Sequence, residues 1–99
     1  MMPNPKQLQQ LQARLMKIQE QLGKETVEAS VGGVVTVTMT GHHEVTAIHI
    51  DPAAVDPEDV ETLEDALVTA FNQALEKASA LANERMGALT GGMKIPGLM

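Results

Sequence analysis

From Glu58 to Met86 the chain runs without a proline or a glycine. Val60, Leu63, Leu67, Phe71, Ala74, Ala78 and Leu81 recur there at spacings of three and four, joined by Leu75, Ala82 and Leu89. That period predicts one helix of about thirty residues, roughly 45 Å long. Asp56-Pro57-Glu58-Asp59 reads as its start, with Asp56 as N-cap, Pro57 at the first helical position and acids facing the positive end of the helix dipole. The helix is therefore expected over 57–88.

A rod of that length must be reconciled with what precedes it. Between 26 and 51 the apolar period is two. Val27, Ala29 and Val31 alternate with Thr26, Glu28 and Ser30, and Val35, Val37 and Met39 alternate with Thr36, Thr38 and Thr40. A third strand passes through Val45, Ile48 and Ile50 to Asp51-Pro52. Gly32-Gly33 supplies a two-residue turn and Gly41-His42-His43 a longer hairpin loop, so the strands form an antiparallel meander. Strands of six or seven residues span only about 20–24 Å. The far half of the long helix is thus expected to overhang the sheet, leaving Leu75, Leu81, Ala82, Met86 and Leu89 wet unless something covers them.

The first 24 residues offer a cover. Leu8, Leu11, Leu15, Ile18 and Leu22 form a narrow heptad seam on a helix capped by Asn4, begun at Pro5 and ended by Gly23. Away from that seam Lys6, Gln10, Arg14, Lys17, Gln21 and Lys24 fall on one stripe. The expected fold is α+β: an N-terminal helix over 1–24, a three-stranded antiparallel sheet over 26–51, and the long C-terminal helix, in a single domain spanning 1–99. A helix pair projects from the body as an arm, and the leucine seam of the same chain or a neighbour lies on the overhang. One covering helix leaves two sheet edges and one face to manage, which points to a two-fold dimer. The tail, 89–99, is punctuated by glycine and proline; its Met93, Ile95 and Leu98 leave docking and disorder both open.

Charge is segregated along the chain. The formal total is −6. Yet residues 1–24 carry Lys6, Arg14, Lys17 and Lys24 against Glu20 alone, while 25–76 hold eleven acids and no lysine or arginine. Lys77, Arg85 and Lys94 then outnumber Glu84. Patches separated by more than a Debye length of about 8–10 Å act independently, so the total does not exclude a polyanionic partner.

Composition excludes more than it suggests. There is no cysteine, hence no disulfide, Cys-ligated zinc or thiol nucleophile, which suits a reducing compartment. A single phenylalanine, with no tyrosine or tryptophan, removes the stacking platforms of single-strand binders and of planar cofactor pockets. No segment has the length of a signal-peptide core or a membrane helix, and the expected location is cytoplasmic. No catalytic triad order, P-loop, dinucleotide fingerprint or zinc spacing is present, so neither an enzyme nor a cofactor is expected. His42, His43 and His49 with Asp51 show no converging ligand set; the hairpin histidines read as turn residues.

The order of these elements resembles the YbaB/EbfC family of bacterial nucleoid-associated proteins over nearly the whole chain. The matching stretches are the Gln- and Lys-bearing first helix, Gly33-Val34-Val35-Thr36-Val37 with Gly41, and Ile48-His49-Ile50-Asp51-Pro52. Leu63-Glu64-Asp65-Ala66-Leu67-Val68, Ala70-Phe71-Asn72, Met86 and Gly91-Gly92-Met93 continue it. The resemblance implies a tweezer-like homodimer in the nucleoid whose helical arms engage duplex DNA with little sequence demand. Carried onto this chain, the contacts are Lys6, Arg14, Lys17 and Lys24 on the first helix, with Lys77 and Arg85 on the last. Gln10 and Gln21 can add neutral hydrogen bonds to phosphate or sugar.

Each assignment has a plainer competitor. The stripe could be a solvated helix back, Arg85 a snorkelling side chain inside an apolar stripe, and the acids from Asp56 to Asp65 ordinary caps. The alternative function is an adaptor binding a recombination, repair or replication protein through the acidic body and the arm faces.

Overall fold

The computed structural model describes residues 4–89. Helix α1 (Pro5–Lys24) leads into β1 (Thr26–Val31), β2 (Val35–Thr40) and β3 (Val45–Ile50); a 3-10 turn, Pro52–Ala54, precedes helix α2 (Val60–Leu89). The strands form one antiparallel sheet in the order β1-β2-β3. This is the expected α+β meander between two helices. The tail expected over 89–99 lies outside the described residues, except that Leu89 closes α2.

Alternation places the core. Ala29 on β1 and Val35, Val37 and Met39 on β2 point to one face and are buried against Ala70, Ala74 and Ala78 of α2. The three alanines, one turn apart, bring the helix axis close to the sheet, and Leu63, Ala66, Leu67 and Phe71 pack around them. Both glycines of the β1–β2 turn have positive φ, 56° and 70°, and the Val34 amide donates to the Val31 carbonyl at 2.9 Å.

β3 resolves an irregularity in its sequence. Val45 and Ile48 are three apart, which period two would send to opposite faces. The pairing shifts between Thr38↔Ala47 and Met39↔Val45, leaving Thr46 as the extra residue of a bulge. Val45, Ile48 and Ile50 thus share the core face of β2. The long helix lies over β1 and β2, so Ile48 stays 45 % and Val45 41 % exposed.

Three expectations need correction. The long helix begins at Val60 rather than Pro57, and Asp59 takes the capping role assigned to Asp56: its carboxylate accepts from the Thr62 amide at 3.3 Å and hydroxyl at 2.7 Å. Asp56 is spent in a local turn, accepting from the Glu58 amide at 2.9 Å, while its own carbonyl accepts from Asp59. Gly23 does not end α1, which continues through Lys24; a Cβ at Gly23 would sit 3.1 Å from the His42 ring, so that glycine permits a close approach.

The third correction concerns the overhang. The C-terminal half of α2 stays on the body: Ala78 is fully buried, and Leu81, Ala82 and Met86 are half-buried, while Leu75 is exposed as expected. Lys77 and Arg85 reach Glu28 and Glu25 at β1 and its entry. The element that overhangs is α1. Leu22 is buried and Ile18 half-buried, but Leu8, Leu11 and Leu15 are exposed and cover nothing within the described chain. The Cα atoms extend 64 × 26 × 14 Å, a rod-like outline for a chain of this size.

Candidate nucleic-acid interface

Helix α1 is built to stand in water. Asn4 caps it by accepting from the Gln7 amide at 2.8 Å, and the Gln7 side chain accepts from the Asn4 amide at 3.3 Å, completing a capping box. Pro5 occupies the first turn. From Asn4 to Lys17 every residue is exposed.

With 3.6 residues per turn, Lys6, Gln10, Arg14, Lys17, Gln21 and Lys24 span about 80° of the helix circumference. All six are exposed. Lys24 contacts Glu20 one turn earlier at 3.4 Å, with both side chains more than two-thirds exposed. Such a pair is weak and readily exchanged for another anion. No ion pair engages Lys6, Arg14 or Lys17 among the described residues. An open depression of about 230 Å³ lies between Gln7, Leu8, Gln10, Leu11 and Arg14.

The two basic residues of α2 are placed differently. The Lys77 ammonium donates to the Glu28 carbonyl at 2.7 Å, tying the helix to β1. Arg85 makes a two-pronged contact with Glu25, Nε to Oε2 at 2.9 Å and Nη2 to Oε1 at 2.5 Å. The pair is a little over one-third exposed on each side. Its guanidinium fork matches the carboxylate plane. Arg85 is therefore neutralised within the chain, and neither residue joins the α1 stripe.

The Arg85 hydrogen bonds hold the Glu25 carboxyl below its ordinary range, and the carboxylate in turn raises Arg85. A carboxyl depressed on folding stabilises the native state above its unfolded pKa, and that contribution disappears as pH falls through its folded pKa. Glu25→Gln is accordingly expected to lose stability relative to wild type at pH 7. The gap should narrow as pH falls below the ordinary glutamate range and close only once pH passes the depressed folded pKa, where the wild-type carboxyl also protonates. Urea unfolding of both proteins across pH 3–8 checks this, and a gap independent of pH excludes the ion pair as its source.

The hairpin histidines do more than complete a turn. The His42 Nε2 donates to the Gln19 carbonyl of α1 at 2.6 Å, while His43, with φ of 66°, hydrogen-bonds through Nε2 to Ser79 Oγ of α2 at 3.0 Å. Nothing local in the sequence signals these partners, 23 and 36 residues away. Among the described residues no group of three or more His, Asp or Glu side chains is placed to hold a metal ion, and no helix is long and apolar enough to cross a membrane.

This arrangement has known counterparts. A nucleoid-associated protein of Roseiflexus castenholzii is 50 % identical over 98 residues, covering 95 % of this chain and 98 % of its own. One from Pelotomaculum thermopropionicum is 48 % identical over 94 residues, covering 94 % and 90 %. The crystal structure of an uncharacterized Helicobacter pylori protein shares the fold at a TM-score of 0.62 and 21 % identity, covering 87 % of this chain and 98 % of its own. The model of the YbaB/EbfC DNA-binding family matches residues 1–93. The family model over residues 1–93 and relatives near 50 % identity over more than nine-tenths of the sequence show that the chain belongs to the YbaB/EbfC DNA-binding family.

Proposed function

We propose that this protein is a nucleoid-associated homodimer that binds duplex DNA through phosphate contacts along α1, without reading base sequence. The observation that carries the reading is the separation of charge. Lys6, Arg14 and Lys17 stand on an exposed arm that carries no carboxylate before Glu20, and the segment behind it, 25–76, holds eleven acids and no base. A polyanion lowers its energy along the first and raises it against the second. Lysine and arginine on one stripe supply charge to phosphates, and Gln10 and Gln21 supply neutral hydrogen bonds; neither discriminates base pairs in that role. The relatives' names, nucleoid-associated protein, agree with that location.

The dimer is supported by what the single chain leaves uncovered. Leu8, Leu11 and Leu15 on the arm and Val45 and Ile48 on β3 are large apolar side chains in water, and β3 ends the sheet with an unpaired edge. A two-fold partner covers such surfaces and presents two arms to one duplex.

Four stripe bases per chain let a dimer neutralise at most about eight phosphates, so log K against log salt should have a slope no steeper than about −7. Titration of duplex DNA by fluorescence anisotropy at several salt concentrations tests this. Weak, salt-sensitive and sequence-indifferent binding is the expected result; absence of binding at low salt overturns the reading.

A further inference from the structure

The body holds α1 only by its last two turns, since every residue from Asn4 to Lys17 is exposed. α2 packs beside those turns, and the β2–β3 connection holds them by hydrogen bonds. The Gly41 amide donates to the Leu22 carbonyl at 2.9 Å and to the Glu25 carbonyl at 3.1 Å. These bonds satisfy carbonyls that a helix C-terminus otherwise leaves open. A Cβ at Gly41 would lie 2.7 Å from a Leu22 methyl and 2.9 Å from the Leu22 carbonyl, so only glycine lets turn and helix meet this closely.

Beyond that contact the His42 ring crosses over Gly23 and donates to the Gln19 carbonyl, more than a turn up the arm. His43 reaches the other way, to Ser79 of α2. Thr40 fixes the turn between them: its buried hydroxyl accepts from the His42 and Glu44 amides at 3.2 and 3.3 Å. One four-residue connection thus holds both helices, and His42 is its outermost hold on the arm.

Leverage makes that hold matter. Thirteen residues separate Gln19 from Lys6, about 20 Å of helix. A tilt of about 20° at the root carries Lys6 some 7 Å, about twice the rise between successive phosphates of one strand. We propose that the β2–β3 turn is a brace that fixes the direction of the α1 arm, with His42 as a positioning residue for phosphate contacts made farther out. This rests on the DNA-binding reading given above, but the brace itself can be tested without DNA.

The chain contains no cysteine, so a nitroxide pair can be placed at Ala13→Cys on the arm and Thr69→Cys on α2, both exposed positions. Labelled chains are diluted with unlabelled protein so that only intrachain distances are read. His42→Ala is expected to broaden the distance distribution. It should weaken duplex binding about fivefold for each arm, the equilibrium weight of one net hydrogen bond, and so roughly 25-fold for the dimer, without changing the salt slope. His42→Gln, whose amide can donate to the same carbonyl, should recover both. Ser79→Ala, which cuts the turn from α2, should broaden the distribution as well.

An unchanged distribution in both alanine variants overturns the brace. A salt slope shallower by nearly two in His42→Ala, one phosphate for each arm of a dimer, also overturns it, because His42 is then itself a phosphate contact. If wild type fails to bind DNA while the distances respond as stated, the DNA reading fails and the brace stands.

Discussion

Lys17→Glu combined with Lys24→Glu is expected to abolish duplex binding at low salt while leaving the protein folded. The two positions are the inner half of the four-base stripe, and reversing both leaves Lys6 and Arg14 opposed by three acids on the same helix. For the proposed dimer the phosphates engaged fall from about eight to about four, and the bound state also gains repulsion from four new charges. The salt slope can then be no steeper than about −3.5, too little to hold DNA against the acidic body. Both side chains are exposed, and Lys24 loses only the exposed contact with Glu20, so stability should move by about 0.5 kcal/mol or less. Anisotropy with duplex DNA and thermal unfolding on the same samples check the two halves together. Binding undiminished by the double substitution removes the α1 stripe from the interface.

That expectation rests on a helix whose function and fold are both local, which is why the sequence shows it so well. The 3-4 leucine spacing, the Asn4 and Pro5 start and the basic stripe all lie within 24 consecutive residues, and the structure keeps each of them. β1 and β2 are equally legible, because alternation needs only neighbours; the bulge at Thr46 that reconciles Val45 with Ile48 needs the pairing with β2. What could not be read were partners distant in sequence. Arg85 sits inside an apolar period and looks like a snorkelling side chain; its carboxylate partner, Glu25, is sixty residues away and belongs to the α1–β1 junction. His42 and His43 look like turn residues, and nothing in Gly41-His42-His43 points to Gln19 or Ser79.

The placement of the overhang escapes the sequence for a related reason. Length predicts that α2 exceeds the sheet, but not where along the helix the sheet sits. Ala70, Ala74 and Ala78 settle that. They are the points of closest approach, so the sheet lies near the middle of the helix rather than at its start; of the residues expected to hang free, Leu81, Ala82 and Met86 are half-buried while Leu75 stays exposed. An apolar period marks these alanines only as inward-facing; that smallness, rather than hydrophobicity, is what the site requires emerges from the opposing strands.

Ala74→Leu is therefore expected to be severely destabilising, although it lowers helix propensity only slightly and adds apolar surface. Position 74 is fully buried between fully buried neighbours on either side, opposite Ala29, Val35, Val37 and Met39. Three further carbons have no space unless helix and sheet separate, and overpacking of this kind costs about 1–3 kcal/mol. For a domain near 100 residues that lowers the thermal midpoint by roughly 4–24 °C. Separation also draws Lys77 from the Glu28 carbonyl and Arg85 from Glu25, so the cost should fall at the upper end. Ala80→Leu, exposed on the same helix, carries the same change in composition and propensity without the crowding, and its midpoint should stay close to wild type. Equal effects at 74 and 80 in paired melting curves mean that the alanine stripe does not set the spacing of helix and sheet. A loss confined to 74 means that it does, and that the distance from α2 to β1, on which both long-range clasps depend, is determined by three methyl groups.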